Sequence, residues 1–213
     1  MKKLDVPSFD RKTVRFLCSK SLLVNKKEAQ KRWKRTDGKY RNFKDNVTTT
    51  MKTIQSNRCA YCGTRLHGDK PHRDHIAPKD PHFRWTFWPL NLVLACYYCN
   101  VERKAKFDTV DVEAPSYRRS TFKIVHPFLD DPAQHLDFEL DDKAILIRAK
   151  SGSAKGRQTI DLFGLMEPER AKERAKDFLF DSDVDHLQGP TRKKFLAASE
   201  ELRSGSLTMK SPA

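Results

Sequence analysis

Two Cys-x-x-Cys pairs constrain this chain more than any other feature: Cys59 with Cys62, and Cys96 with Cys99. Each pair aims two thiols at one point, and two such knuckles complete the tetrahedral, all-thiolate shell of a structural Zn²⁺. The 33 residues between Cys62 and Cys96 exceed the roughly 15–20 of a compact zinc ribbon, so a sizeable segment is looped out between the ligands. Two redox motifs, or plain buried thiols, are the rival readings. Neither explains why paired knuckles flank a loop holding His67, His72, His75 and His82. Tyr61, Tyr97 and Tyr98 are placed to pack around the ion. The fifth cysteine, Cys18, lies among Phe16, Leu17, Leu22 and Leu23 and reads as a buried structural thiol.

The charge balance points to a polyanionic partner. Net charge is +14, from 42 Lys and Arg against 28 Asp and Glu. Each phosphate neutralised by such a surface releases condensed counterions. From Met1 to Asn57 there are 16 basic and 5 acidic residues, so most of the excess sits at the N-terminal end. That region reads either as an arm contacting backbone phosphates or as a docking surface for an acidic partner subunit. Asp5, Pro7, Asp10 and Arg11 interrupt any apolar run after Lys2 and Lys3. Neither a signal peptide nor a membrane span of roughly 18 apolar residues is expected. A cytoplasmic setting, where thiols stay reduced, is the expectation.

Along the chain, Lys26 to Arg35 reads as a basic helix with Ala29 and Trp33 on one small apolar face, closed by Asp37-Gly38. Phe43, Val47, Met51 and Ile54 recur at helical spacing and lead into the first knuckle. His135–Leu140 and Ala144–Ala149 read as two strands around Asp141-Asp142. Thr159 is placed to cap a short helix, and Glu167–Phe180 forms another with Pro168 in its first turn. Ser182–Gln188 is a polar linker, Thr191–Arg203 a last helix, and the tail to Ala213 frays. The division is 1–57 as a basic helical arm, 58–110 as a zinc-stapled module, 111–205 as a hairpin plus helices, and 206–213 as tail.

Inside the module run Arg73-Asp74-His75-Ile76-Ala77-Pro78, then Trp88-Pro89-Leu90-Asn91-Leu92, then Asn100 directly after Cys99. The order Cys-x-x-Cys, Asp-His-Ile-x-Pro, Asn-Leu, Cys-x-x-Cys-Asn resembles the HNH endonucleases, in particular those with a zinc-stapled ββα-metal module. The likeness covers Cys59 to about Phe107. It implies an α+β protein, mainly helical around that small module, that hydrolyses phosphodiesters and leaves 3′-hydroxyl and 5′-phosphate ends. It assigns His75 as the general base, Asp74 and Asn100 as ligands of a catalytic metal, and Asn91 as the residue that braces the histidine's loop. Here asparagine, not histidine, holds the third position of the signature.

The chemistry agrees with those assignments. A phosphodiester needs a base for water, a cation for developing charge, and a grip on the phosphate. Carboxylate and amide oxygens suit Mg²⁺ or Mn²⁺ better than Zn²⁺. On a strand, Asp74 and His75 face opposite ways, one toward metal and one toward water. An imidazole titrates near working pH. If a helix begins near Cys99, then Asn100, Arg103 and Lys104 share a face, and Lys104 is the first choice to grip phosphate, against the plainer reading of a solvated helix face. Plainer readings exist elsewhere too: Asp74 as a turn cap, His75 as a loop histidine, Asn91 as a turn residue. His67, His72 and His82 read as polar loop residues. Trp85, Phe87 and Trp88 either stack on bases or form the module's small core.

Further on, His126-Pro127-Phe128, Asp130-Asp131-Pro132, His135-Leu136-Asp137-Phe138 and Thr159 to Leu165 follow an order similar to the small HNH nuclease subunits of Septu-type and retron-linked anti-phage systems. That resemblance implies an ABC/SMC-like ATPase partner and an activity restrained until infection. His126 and His135 read as structural rather than as ligands. Two other functions stay open: a non-catalytic zinc module binding nucleic acid or protein, and cleavage of RNA, including transfer RNA. Oligomeric state is not legible.

Overall fold

Helix starts are written in the side chains that cap them. Asp10 accepts from the Lys12 and Thr13 amides at the head of α1 (Arg11–Leu17), and Asn25 accepts from Glu28 at the head of α2 (Lys26–Lys34). Ser153 does the same for Gly156 at the start of α4 (Ala154–Phe163). Each side chain satisfies amides that the first turn leaves without partners. The structure, a computed structural model, describes residues 1, 3–66, 71–141 and 144–180. His67, Asp142, the linker 182–188, the helix expected over 191–203 and the tail lie outside the described residues.

α2 carries Ala29 fully buried and Trp33 against the core, the small apolar face expected of it. Asp37-Gly38 does not close α2, which ends at Lys34. It opens α3 (Gly38–Ile54), with Gly38 at φ +46°. Phe43, Val47 and Met51 are buried along α3, as their spacing requires. At its C-terminus the Gln55 side chain accepts from the Leu94 amide and donates to the Leu94 carbonyl, both at 2.8 Å. A helix end is thereby riveted to a strand edge.

That edge belongs to a two-stranded antiparallel sheet. β1 (His72–His75) pairs with β2 (Leu92–Ala95), setting Asp74 opposite Val93 and His75 opposite Leu92. β2 is buried throughout, so it is an apolar run rather than an alternating one. A π-helix, Tyr98–Lys104, follows the second knuckle, in place of an α-helix starting near Cys99. Its wide turn is marked by the Ala105 amide donating to the Asn100 carbonyl five residues back. π-turns are rare and recur at functional sites.

The remainder buttresses this unit. β3 (Val110–Val112) pairs with β4 (Thr121–Phe122), and β5 (Leu136–Asp141) with β6 (Ala144–Ala149), the hairpin expected from the sequence. α5 runs Pro168–Phe180. Thr159 is not a cap but a buried mid-helix residue. Its hydroxyl donates to the Lys155 carbonyl and accepts from the Val125 amide, tying α4 to the segment after β4. Gly156 is required because a Cβ there would lie 2.3 Å from the His135 carbonyl oxygen. Mixed helices and three small sheets make the fold α+β. One core cluster runs from Leu4 and Leu17 through Phe43, Tyr61, Phe87 and Leu94 to Phe163 and Leu165, so both flanking regions pack on the central module. No helix among the described residues is long and apolar enough to cross a membrane.

Candidate functional site

The four cysteines converge. Their sulfur atoms all lie within 4.8 Å of one another, and Cys62 and Cys96 Sγ are 3.8 Å apart. A tetrahedron with Zn–S bonds of about 2.3 Å has edges of roughly 3.8 Å, so the donor set fits a zinc ion in size and chemistry. Gly63, at φ +77°, lets the first knuckle turn, with its amide donating to the Cys59 carbonyl. The Cys99 amide lies 3.5 Å from Cys96 Sγ and Thr64 Oγ1 3.1 Å from Cys62 Sγ, donors suited to thiolates. Burial pushes the Cys59 thiol up, and contact with Cys59 pulls Cys62 down. A divalent cation between the four sulfurs would draw all four to the thiolate form and offset the repulsion of the buried charges.

The opposite side of β2 carries a different chemistry. His75 Nε2 is 2.8 Å from the Thr86 carbonyl oxygen. A carbonyl only accepts, so Nε2 holds the proton and Nδ1 keeps its lone pair. Among the described residues, the fully buried side-chain atoms without partners are Trp88 Nε1 and Arg174 Nη1. Nδ1 also lacks a partner but is not one of them, so the residue's 4% exposure reaches the base atom. The Trp33 ring of α2 meets the imidazole edge-on, centroids 4.3 Å apart, and the Lys79 ammonium stands 5.5 Å from the Trp33 ring centre. Burial, then the nearby Lys79 and Lys104 charges, hold His75 well below the usual imidazole range. It is neutral, the form that can accept a proton.

Asp74 points into the module and is buried. Tyr61 donates to Oδ2 at 2.5 Å and Lys104 Nζ to Oδ1 at 3.1 Å. Lys104 donates again to the His75 carbonyl at 2.7 Å. Lys104 is therefore not on a solvated helix face: its side chain is 3% exposed and it clamps the strand that carries His75. The wide π-turn brings it inward. Asp74 has about four acceptor positions, and two are filled. Asn100, one turn earlier on the same helix, is half-buried, and its side-chain amide has no partner among the described residues. Asp74 is thus held by Tyr61 and Lys104, and Asn100 precedes Lys104 on the same helix.

Asn91 is fully buried with every hydrogen-bonding position used. Oδ1 accepts from the Ala77 amide at 2.7 Å, and Nδ2 donates to the carbonyls of Ala77 and Trp85, each at 3.1 Å. It thus ties the chain two residues after His75 to the chain just before Thr86. Of the flanking aromatics, Phe87 and Trp85 are core and Trp88 is half-buried. His82 is not an open loop residue. It stacks on Trp85 and lies between Glu113 at 2.7 Å and Asp108 at 3.0 Å. His72 meets Tyr97, and His135 Nδ1 is 2.9 Å from Ser153 Oγ.

Residues 59–106 match the HNH endonuclease family model. No curated protein matches the chain. The HNH domain therefore rests on its motif and its geometry together, and it carries both the four-cysteine cluster and His75. Missing from the sequence reading were Tyr61, the donor to Asp74, and Trp33, the wall of the histidine pocket. Tyr61 had a signal, lying inside the first knuckle. Trp33 had none, since 42 residues separate it from His75.

Proposed function

We propose that the chain is an endonuclease that hydrolyses DNA phosphodiesters, with His75 as general base and zinc purely structural. The observation that carries this is the His75 tautomer: Nε2–H is fixed on the Thr86 carbonyl and the Nδ1 lone pair is left accessible inside a cationic HNH site. A water hydrogen-bonded to Nδ1 gives up its proton as its oxygen attacks phosphorus. The P–O3′ bond breaks, and the departing oxygen takes a proton to leave 3′-hydroxyl and 5′-phosphate ends. Burial first, and then the Lys79 and Lys104 charges, keep His75 unprotonated beforehand, and the incoming phosphate's negative charge favours the imidazolium that forms. A Mg²⁺ or Mn²⁺ ion held by Asp74 and Asn100 would offset the charge growing on the phosphate. The basic N-terminal region supplies sequence-independent backbone contacts.

The test is plasmid nicking and RNA cleavage measured side by side, with Mg²⁺ or Mn²⁺ and then with EDTA. DNA cleavage that EDTA stops and His75→Ala abolishes is the expected result. Cleavage at the wild-type rate by His75→Ala would overturn the base assignment, and cleavage of RNA alone the substrate assignment. We propose further, from the resemblance of the motif order between His126 and Leu165 alone, an ABC/SMC-like ATPase partner and a role in anti-phage defence. Repeating the assay with the product of a neighbouring ATPase gene tests that pairing.

A further inference from the structure

Asn91 Oδ1 accepts a second hydrogen bond, and its donor comes from outside the segment that matches the HNH family. Tyr117, in the short helical turn Tyr117–Arg119, donates its hydroxyl to Asn91 Oδ1 at 3.1 Å. Tyr117 Oη is in turn 2.8 Å from His126 Nε2. The backbone amides of Phe128 and Leu129 both donate to His126 Nδ1, at 3.1 and 3.2 Å. Nδ1 is therefore unprotonated and Nε2 carries the hydrogen. Only one direction of donation is left: His126 Nε2–H to Tyr117, Tyr117 O–H to Asn91. The His126 backbone is itself anchored, its amide donating to Asp130, which pairs with Lys155 of α4 at 2.9 Å. All three members of the chain are buried.

We propose that Tyr117 and His126 are positioning residues of the nuclease site, acting through Asn91 to hold Ala77 and Trp85–Thr86 on either side of His75. The proposal rests on the reading of His75 as base. Without the Tyr117 hydroxyl, Asn91 Oδ1 keeps only the Ala77 amide, and the amide plane loses one of the four hydrogen bonds that fix it. The Thr86 carbonyl then shifts relative to His75, and misplacement of a catalytic group by about 1 Å costs up to on the order of a hundredfold in rate.

Tyr117→Phe removes one oxygen and keeps the ring that packs edge-on against Trp85 at 4.9 Å. Two readouts on the full chain separate positioning from bulk stability. The first is ¹⁵N NMR of the histidine rings. Tyr117→Phe should shift or broaden the His75 Nε2–H signal while leaving His72 unchanged. The second is DNA cleavage well below the melting temperature, where kcat should fall about tenfold to a hundredfold with KM unchanged. His126→Leu should match it, His126→Gln, which restores a donor toward Tyr117, should keep more activity, and the double variant should be no worse than either single one. An unmoved His75 signal with a lowered melting temperature would overturn the proposal. A wild type that cuts nothing would count against the nuclease reading alone, because the NMR readout decides positioning without it.

Discussion

Two histidines in this molecule are buried to nearly the same degree and do opposite things. His75 is 4% exposed and His126 fully buried. Burial pushes both below the usual imidazole range, His126 down to about 3. Both carry their hydrogen on Nε2, one toward the Thr86 carbonyl and one toward Tyr117. They differ at Nδ1. Two backbone amides saturate it in His126, and among the described residues nothing occupies it in His75. Burial makes a histidine neutral, but only an unclaimed lone pair makes it a base. In the proposed reading His126 is a brace and His75 a reagent.

Zinc removal should erase the comparison, because the staple holds together the segment whose strand β1 carries His75. Structural zinc contributes on the order of 10 kcal/mol to small domains. Cys99→Ser, or a strong chelator, is expected to unfold the module, read by circular dichroism beside elemental analysis giving one zinc per wild-type chain. A folded, metal-free protein would break the staple reading.

His75→Ala sharpens the contrast most directly. Cleavage should fall by on the order of 10²–10⁴-fold, the usual worth of a general base, while zinc content and melting temperature hold. His126→Ala should do the reverse in stability, opening a cavity and stranding the Phe128 and Leu129 amides for about 2–4 kcal/mol in urea unfolding.

Lys104 tests whether the His75 side is also braced. Lys104→Met leaves Asp74 as a buried carboxylate without its cation, and breaking such a pair costs about 3–5 kcal/mol. A loss under 1 kcal/mol in the same assay would mean Asp74 is not held charged by Lys104.

Within one pH unit of neutrality, the smallest effect is in pH. His126 is neutral in the folded protein down to about 3, whereas an unfolded imidazole protonates near 6.5. Its contribution is complete above that unfolded value and is lost as pH falls toward the folded one. The slope is at most about 1.4 kcal/mol per pH unit. His126→Gln should flatten the stability–pH curve by one proton across that window. An unchanged slope would mean His126 is protonated in the folded chain.

Some of this was fixed by local sequence. The knuckle spacing placed four sulfurs within bonding range of one ion, because a Cys-x-x-Cys turn leaves its thiols little choice of direction. The order Asp74-His75, then Asn91, then Asn100 marked the segment that matches the HNH family model, and the periodicities of α2, α3 and the β5–β6 hairpin named those elements. Tertiary packing decided the rest. Lys104 turned inward because a π-turn replaced an α-turn and a buried carboxylate required its charge. Trp33 reached His75 only because α2 and α3 fold back on the module. Tyr117 and His126 met Asn91 only once the segment after the HNH domain had closed against it. Each of those contacts joins residues far apart in sequence. Their pairing energy is realised only after the chain has folded, so no local pattern records it.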